Sequence, residues 1–286
     1  MDFNRETITQ KFWECKSTNI DDAIDVAIKR AIHDFTFRTT EKTDDSYKGG
    51  EKALYELLCP NQGNSLLNEF KYYFNNDETW KEQSSFDKWH HDTCTIVLEA
   101  LKNKYNVEYG KAQKIVNMTF KYLYCVLDAA DEKFKYCHIP LDSIILDWIW
   151  AQKESMKNAY NKILQNENEL MPKTLQHTCF DSWSNIKDSE NQLVLIDRNN
   201  KKHYTYTFYQ KLIRGYCSNK ITPLQLEFLV WPQFQWERAA NEFYKQTSRF
   251  LGEEKDINEF APEDKIKKIN ELLKEKIALC EWSSIL

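Results

Sequence analysis

Apolar residues recur at helical spacing along most of this chain. Ile20, Ala23, Ile24, Ala27, Ile28, Ala31 and Ile32 fall on one face of a helix that Asn19 is placed to cap, with Asp21 and Asp22 in its first turn. A polar loop over 38–50 leads to a shorter predicted helix at 51–58, stopped by Pro60, and a second polar loop follows at 61–64. Over 86–101, Trp89, Cys94, Ile96, Val97 and Leu101 mark another helix. On a helix over 112–127, Ala112, Ile115, Val116, Thr119, Leu123 and Val126 share one side, while Lys111, Lys114, Met118 and Lys121 share the other. The pattern predicts an amphipathic helix with those lysines on its solvated face. A helix from 142 to 150 buries Ile144, Ile145, Trp148 and Ile149. Further helices are predicted at 209–216, 223–230, 235–250 and, rich in Lys and Glu, 262–280.

One stretch departs from this period. Leu193 to Ile196 is a short apolar run, and after a polar turn His203 to Phe208 alternates, which predicts a β-hairpin with Tyr204, Tyr206 and Phe208 on one face. With no repeat and no linker, the expected organisation is a single large, mainly α unit over 1–286 with this small β-hairpin.

Composition sharpens the class. Six Gly and six Pro among 286 residues leave few tight turns, which favours long helices. A net charge of −5 argues against a protein that coats nucleic acid nonspecifically, since phosphate neutralisation needs a surplus of Lys and Arg. The eight cysteines are scattered without a Cys-x-x-Cys, so they read as reduced thiols. His90 and His91 point to different helix faces and lack a second ligand pair, so no metal is expected. The amino terminus has no signal-peptide core, and no run reaches the roughly 18 apolar residues of a spanning helix. The chain is expected to be cytoplasmic, without a membrane partner.

Chemistry concentrates in one stretch. Tyr109-Gly110-Lys111-Ala112-Gln113-Lys114-Ile115-Val116-Asn117 sets lysines at the start of a helix, and His138-Ile139-Pro140-Leu141-Asp142 sets an aspartate two residues after a proline. Asp142 is by itself an ordinary helix N-cap. His138 reads as a turn or core histidine. Trp148, Trp150, Trp231 and Trp236 are candidates to stack on a base, or else core residues, and the turn at 198–202 is basic.

Lys114-Ile115-Val116-Asn117 after a Gly-bearing turn, followed by Pro140-Leu141-Asp142, resembles the helix-hairpin-helix Gly/Pro-Asp DNA glycosylase superfamily. The 28-position spacing from Lys114 to Asp142, and Lys121 seven positions after Lys114, are most similar to its archaeal 8-oxoguanine branch. The resemblance covers about a sixth of the chain, within a core at 86–150. It implies a helix-hairpin-helix fold and base excision with abasic-site lyase activity on a damaged or modified base such as 8-oxoguanine. Lys114 would be the Schiff-base nucleophile, Asp142 its carboxylate partner, Gly110, Lys111 and Lys121 DNA contacts, and no cofactor would be needed. The family's hairpin usually carries two glycines, whereas 106–111 has only Gly110, and the iron–sulfur cysteines of some relatives are absent. Two other readings stay open: a noncatalytic helix-hairpin-helix nucleic-acid-binding module, and an all-helical protein-interaction protein.

Overall fold

The computed structural model describes residues 5–10, 17, 19–35, 41–43, 49–127, 131–166, 171–189, 192–217, 221–251, 267 and 271. The chain divides into two units, Met1–Leu229 and Val230–Leu286. The expected glycosylase core at 86–150 falls wholly in the first. The second consists, among the described residues, of the later part of one helix and two further helical positions, so the helix expected at 262–280 lies almost entirely outside them.

The protein is mainly helical. In chain order the helices are α1 (Arg5–Gln10), α2 (Ile20–His33), α3 (Glu51–Leu58), α4 (Leu66–Asn75), α5 (Gln83–Leu101), α6 (Tyr109–Val126), α7 (Ser143–Ala151), α8 (Lys157–Asn166), α9 (Tyr206–Cys217) and α10 (Pro223–Leu251). Two short antiparallel pairs interrupt them, β1 (Glu41–Lys42) with β2 (Tyr105–Asn106) and β3 (Val194–Ile196) with β4 (Lys202–Tyr204). No helix of the described residues is long and apolar enough to cross a membrane.

α2 forms as its pattern predicts. The Asn19 side chain accepts from the N–H groups of Asp21 and Asp22, and Ala23, Ile24, Ala27, Ile28, Ala31 and Ile32 are all buried. That face packs on α6, whose own pattern misleads. Lys111, Met118 and Lys121, expected on a solvated side, are buried, because α6 runs through the middle of the first unit. α2 and α5 cover part of it, and a 3₁₀ turn at Trp183–Asn185 packs across its start.

The predicted hairpin is shorter than expected. Val194 pairs with Tyr204 and Ile196 with Lys202, closed by Asn200 in a left-handed conformation. After Tyr204 the alternation gives way to helix, since the Thr205 hydroxyl accepts the Phe208 N–H and Asp188 accepts the Thr207 N–H. These side-chain caps override the period-two pattern, so Tyr206 and Phe208 lie on α9 rather than on a strand face. The helices expected at 223–230 and 235–250 are likewise one helix, α10, with Pro232 inside it.

Gly110 is not in a hairpin turn. It is the second residue of α6, its N–H donates to the Ile186 carbonyl at 2.8 Å, and a Cβ there would stand 1.8 Å from the Trp183 carbonyl oxygen. The glycine serves backbone packing, not approach to a phosphate. Gly110→Ala is therefore expected to cost about 3 kcal/mol, read from urea unfolding, because backbone has to move. Unchanged stability with weakened DNA binding would return the glycine to the phosphate role.

Candidate functional site

The segment from Cys137 to Leu141 has no regular structure although most of it is buried, so its peptide groups need partners. Side-chain amides supply them. Gln113 donates to the Leu141 carbonyl at 2.8 Å and accepts the Leu141 N–H at 3.2 Å. Gln210 does the same for Ile139, accepting its N–H at 3.3 Å and donating to its carbonyl at 2.9 Å. Two glutamines thus pair with this segment as a neighbouring strand would.

This framing delivers Asp142. One carboxylate oxygen caps α7, accepting from the N–H groups of Ile144 and Ile145 at 2.9 and 3.0 Å. The other, Oδ2, stands 3.8 Å from Lys114 Nζ, and both side chains keep some exposure, 13% for Lys114 and 14% for Asp142. Gln113 is adjacent to Lys114 and Leu141 to Asp142, so the Gln113–Leu141 pairing fixes the separation of the two charged groups. The Lys114 ammonium also lies 4.6 Å from the centre of the Trp183 ring.

Lys111 and Lys121 do not fit as DNA contacts. Lys111 is 1% exposed, with its ammonium 5.0 Å from the Phe35 ring and 4.8 Å from that of Trp183. Burial, and after it the charge of Lys114, pushes its pKa down to about 8. Lys121 is buried in an ion pair with Glu227, Nζ to Oε1 2.8 Å, and offers no surface to a phosphate. Burial raises the Glu227 carboxyl above the usual range although Lys121 opposes the rise. Lys121→Met would leave that carboxylate buried and unpaired and should cost about 3–5 kcal/mol in urea unfolding. The double variant Lys121→Met, Glu227→Leu should recover most of it, and equal loss in both would mean that the pair is not the source.

The segment 106–111, where a hairpin is expected, is tied into the fold. β2 pairs with β1, the Lys111 N–H donates to Glu108, and the Gly110 N–H is taken by Ile186. The Gly110 and Lys111 N–H groups are thus already taken and the Lys111 and Lys121 side chains are buried, which differs from the exposed DNA-contacting positions expected for these three residues.

Behind the Lys–Asp pair runs a buried polar chain that sequence reasoning missed. The Asn117 amide nitrogen donates to Gln113 and to the Tyr206 hydroxyl, at 2.9 and 2.8 Å, so its oxygen is the acceptor for His90 Nε2–H at 2.9 Å. His138 Nε2 faces Asp87 at 2.7 Å, which leaves Nδ1 to accept from the Tyr206 hydroxyl at 2.9 Å. Both tautomers follow from the network. Arg214 closes the chain on Asp87 at 3.0 Å. Burial raises the Asp87 carboxyl, but His138 and Arg214 more than offset this and hold it well below the usual range. His138 is thus a core residue, while His91 sits apart beside Asp188. Among the described residues no group of three or more His, Cys, Asp and Glu is gathered to hold a metal ion.

Burial, with the charge of His138 second, pulls His90 well below its ordinary 6.5, and burial also lowers His138 against the pull of Asp87. The folded protein therefore binds fewer protons than the unfolded chain once pH drops below about 6.5. Stability should fall from pH 7 to pH 5.5, chiefly through His90, whose shift is the larger. Urea midpoints that do not move across that interval would contradict neutral, buried histidines.

The stacking candidates resolve differently. Trp148 is buried edge-on to Tyr216, and Trp150 lies against His177 and Phe180. Within the second unit Trp236 is exposed. Trp183, which no pattern singled out, is the aromatic that faces both Lys111 and Lys114. No family model matches this chain, and no curated protein or solved structure matches it.

Proposed function

We propose that this protein is a DNA base-excision enzyme with abasic-site lyase activity, centred on Lys114 and Asp142. The observation that carries the reading is the 3.8 Å approach of two side chains 28 residues apart, at a partly exposed position and with the carboxylate anchored by an N-cap. Cleavage of an N-glycosidic bond builds positive charge on the sugar, and a rigid carboxylate beside it lowers that barrier. A neutral Lys114 amine attacks C1′, the base departs with the bonding electrons, and Asp142 takes the proton released by the amine. The resulting Schiff base acidifies C2′ and permits elimination of the 3′-phosphate.

The burial of Lys111 and Lys121, with the Gly110 and Lys111 N–H groups already taken, counts against a noncatalytic helix-hairpin-helix module, which would draw its affinity from those groups. It also means that DNA docks through other surfaces, and the exposed Arg198 and Lys201 at the β3–β4 turn are the candidates. A second reading draws on the same burial of Lys111 and Lys121: an all-helical protein-interaction protein in which the Lys114–Asp142 pair fastens α6 to α7. Incubation with duplexes carrying 8-oxoguanine and other modified bases, followed by assay of base release and strand scission, separates the two. The enzyme releases base, and the interaction protein leaves every duplex intact.

A further inference from the structure

A cleft of about 430 Å³ is walled by Asp87, Lys88 and His91 of α5 and by Thr207, Lys211 and Arg214 of α9. Thr207, Lys211 and Arg214 recur at helical spacing, so one face of α9 is turned to it. Its size falls within the roughly 300–1,000 Å³ of small-molecule sites. The floor is built from buried His90, His138 and Gln210. Their polar atoms are already engaged, His90 with Asn117, His138 with Asp87 and Tyr206, and Gln210 with Ile139. With both histidines neutral, the floor is rigid and uncharged.

The charges on the walls are spent unequally. The Asp188 carboxylate is almost wholly buried, with one oxygen accepting the Thr207 N–H and hydroxyl at 3.0 and 2.8 Å and the other facing His91. Asp87 turns Oδ1 to Gln83, His138 and Arg214. Lys88 pairs with Asp92 at 2.9 Å. Arg214 is spent only in part. Among the described residues its hydrogen bonds run through Nη1 alone, and the side chain is 20% exposed. The Nε–Nη2 edge, with two parallel N–H groups, lies on the side of the guanidinium away from Nη1 and so away from Asp87. That edge matches two oxygens of a carboxylate or phosphate. Lys211, a turn before Arg214 on the same face, adds a second positive charge to the cleft. The rings of His91 and Tyr109 stack 5.7 Å apart, and His91 is partly exposed, which gives a planar body a surface to pack on.

We infer that this cleft is a second ligand site, for a small planar organic acid whose carboxylate or phosphate docks side-on to Arg214. The site does not depend on the base-excision reading, because neither Lys114 nor Asp142 lines the cleft. The full chain is titrated calorimetrically with benzoate and phenyl phosphate, with inorganic phosphate and benzylamine as controls. At least one of the two acids should bind, the tighter identifying the headgroup, and Arg214→Gln should weaken that binding by about tenfold or more. Arg214→Lys keeps the charge but not the paired donors, so it should lose nearly as much. Lys211→Glu leaves the Arg214–Asp87 contact in place, should also weaken binding, and serves if the Arg214 variants fail to fold. No binding of either acid, equal affinity in the parent and every folded variant, or a preference for benzylamine would overturn the site. Inorganic phosphate bound as tightly as phenyl phosphate would overturn the planar body. Displacement of phenyl phosphate by an undamaged DNA duplex would overturn the small-molecule class and assign Arg214 to a backbone phosphate. Acid binding in a protein that traps no abasic DNA would uphold the cleft while the base-excision reading falls alone, and trapping without acid binding would do the reverse.

Discussion

Asp142→Asn is expected to keep the fold and DNA affinity while base release falls by about 10²-fold or more. The amide retains the oxygen that accepts from the Ile144 and Ile145 N–H groups, and Asn caps helices about as well as Asp, so α7 should start where it does now. What disappears is the negative charge at Oδ2, 3.8 Å from Lys114 Nζ. Single-turnover base release at saturating DNA isolates that charge from binding, and a urea midpoint close to the parent's isolates it from stability. Equal rates for variant and parent would remove Asp142 from the chemistry and leave it a helix cap.

Lys114→Gln should abolish strand scission altogether, because an amide nitrogen forms no Schiff base. The side chain is 13% exposed, and Gln can take its place beside Trp183, so binding should change little. Lys111→Gln is the informative contrast. Its amine is the one pushed down to about 8, yet its burial denies it access to a sugar, so scission should persist in that variant. Scission lost in Lys111→Gln and kept in Lys114→Gln would reverse the two assignments.

Much of the fold could be read from local pattern. α2, α3 and α7 lie where cap residues and apolar spacing put them, since each is specified by its own turns: Asn19 for α2, Pro60 shortly after α3, Asp142 for α7. α6 defeated the same logic. Its lysines alternate with apolar residues as on a solvated face, but burial of that face depends on Trp183 and Glu227, which are distant in sequence and carry no local signal. The lysine–aspartate pair was legible because two short segments each resemble a known signature. Gln113, Asn117 and Gln210 were not, although the first two lie inside the same stretch. A glutamine that completes an irregular backbone looks like any polar residue until the partner segment is in place.

Borohydride reduction of the protein on a duplex with an abasic site, followed by peptide mapping of the adduct, tests the lysine–aspartate centre most directly. A single covalent adduct at Lys114, absent from Lys114→Gln and present in Lys111→Gln, is the expected result. No adduct on abasic or modified-base DNA would contradict the assignment and leave the Lys114–Asp142 pair as a structural link between α6 and α7.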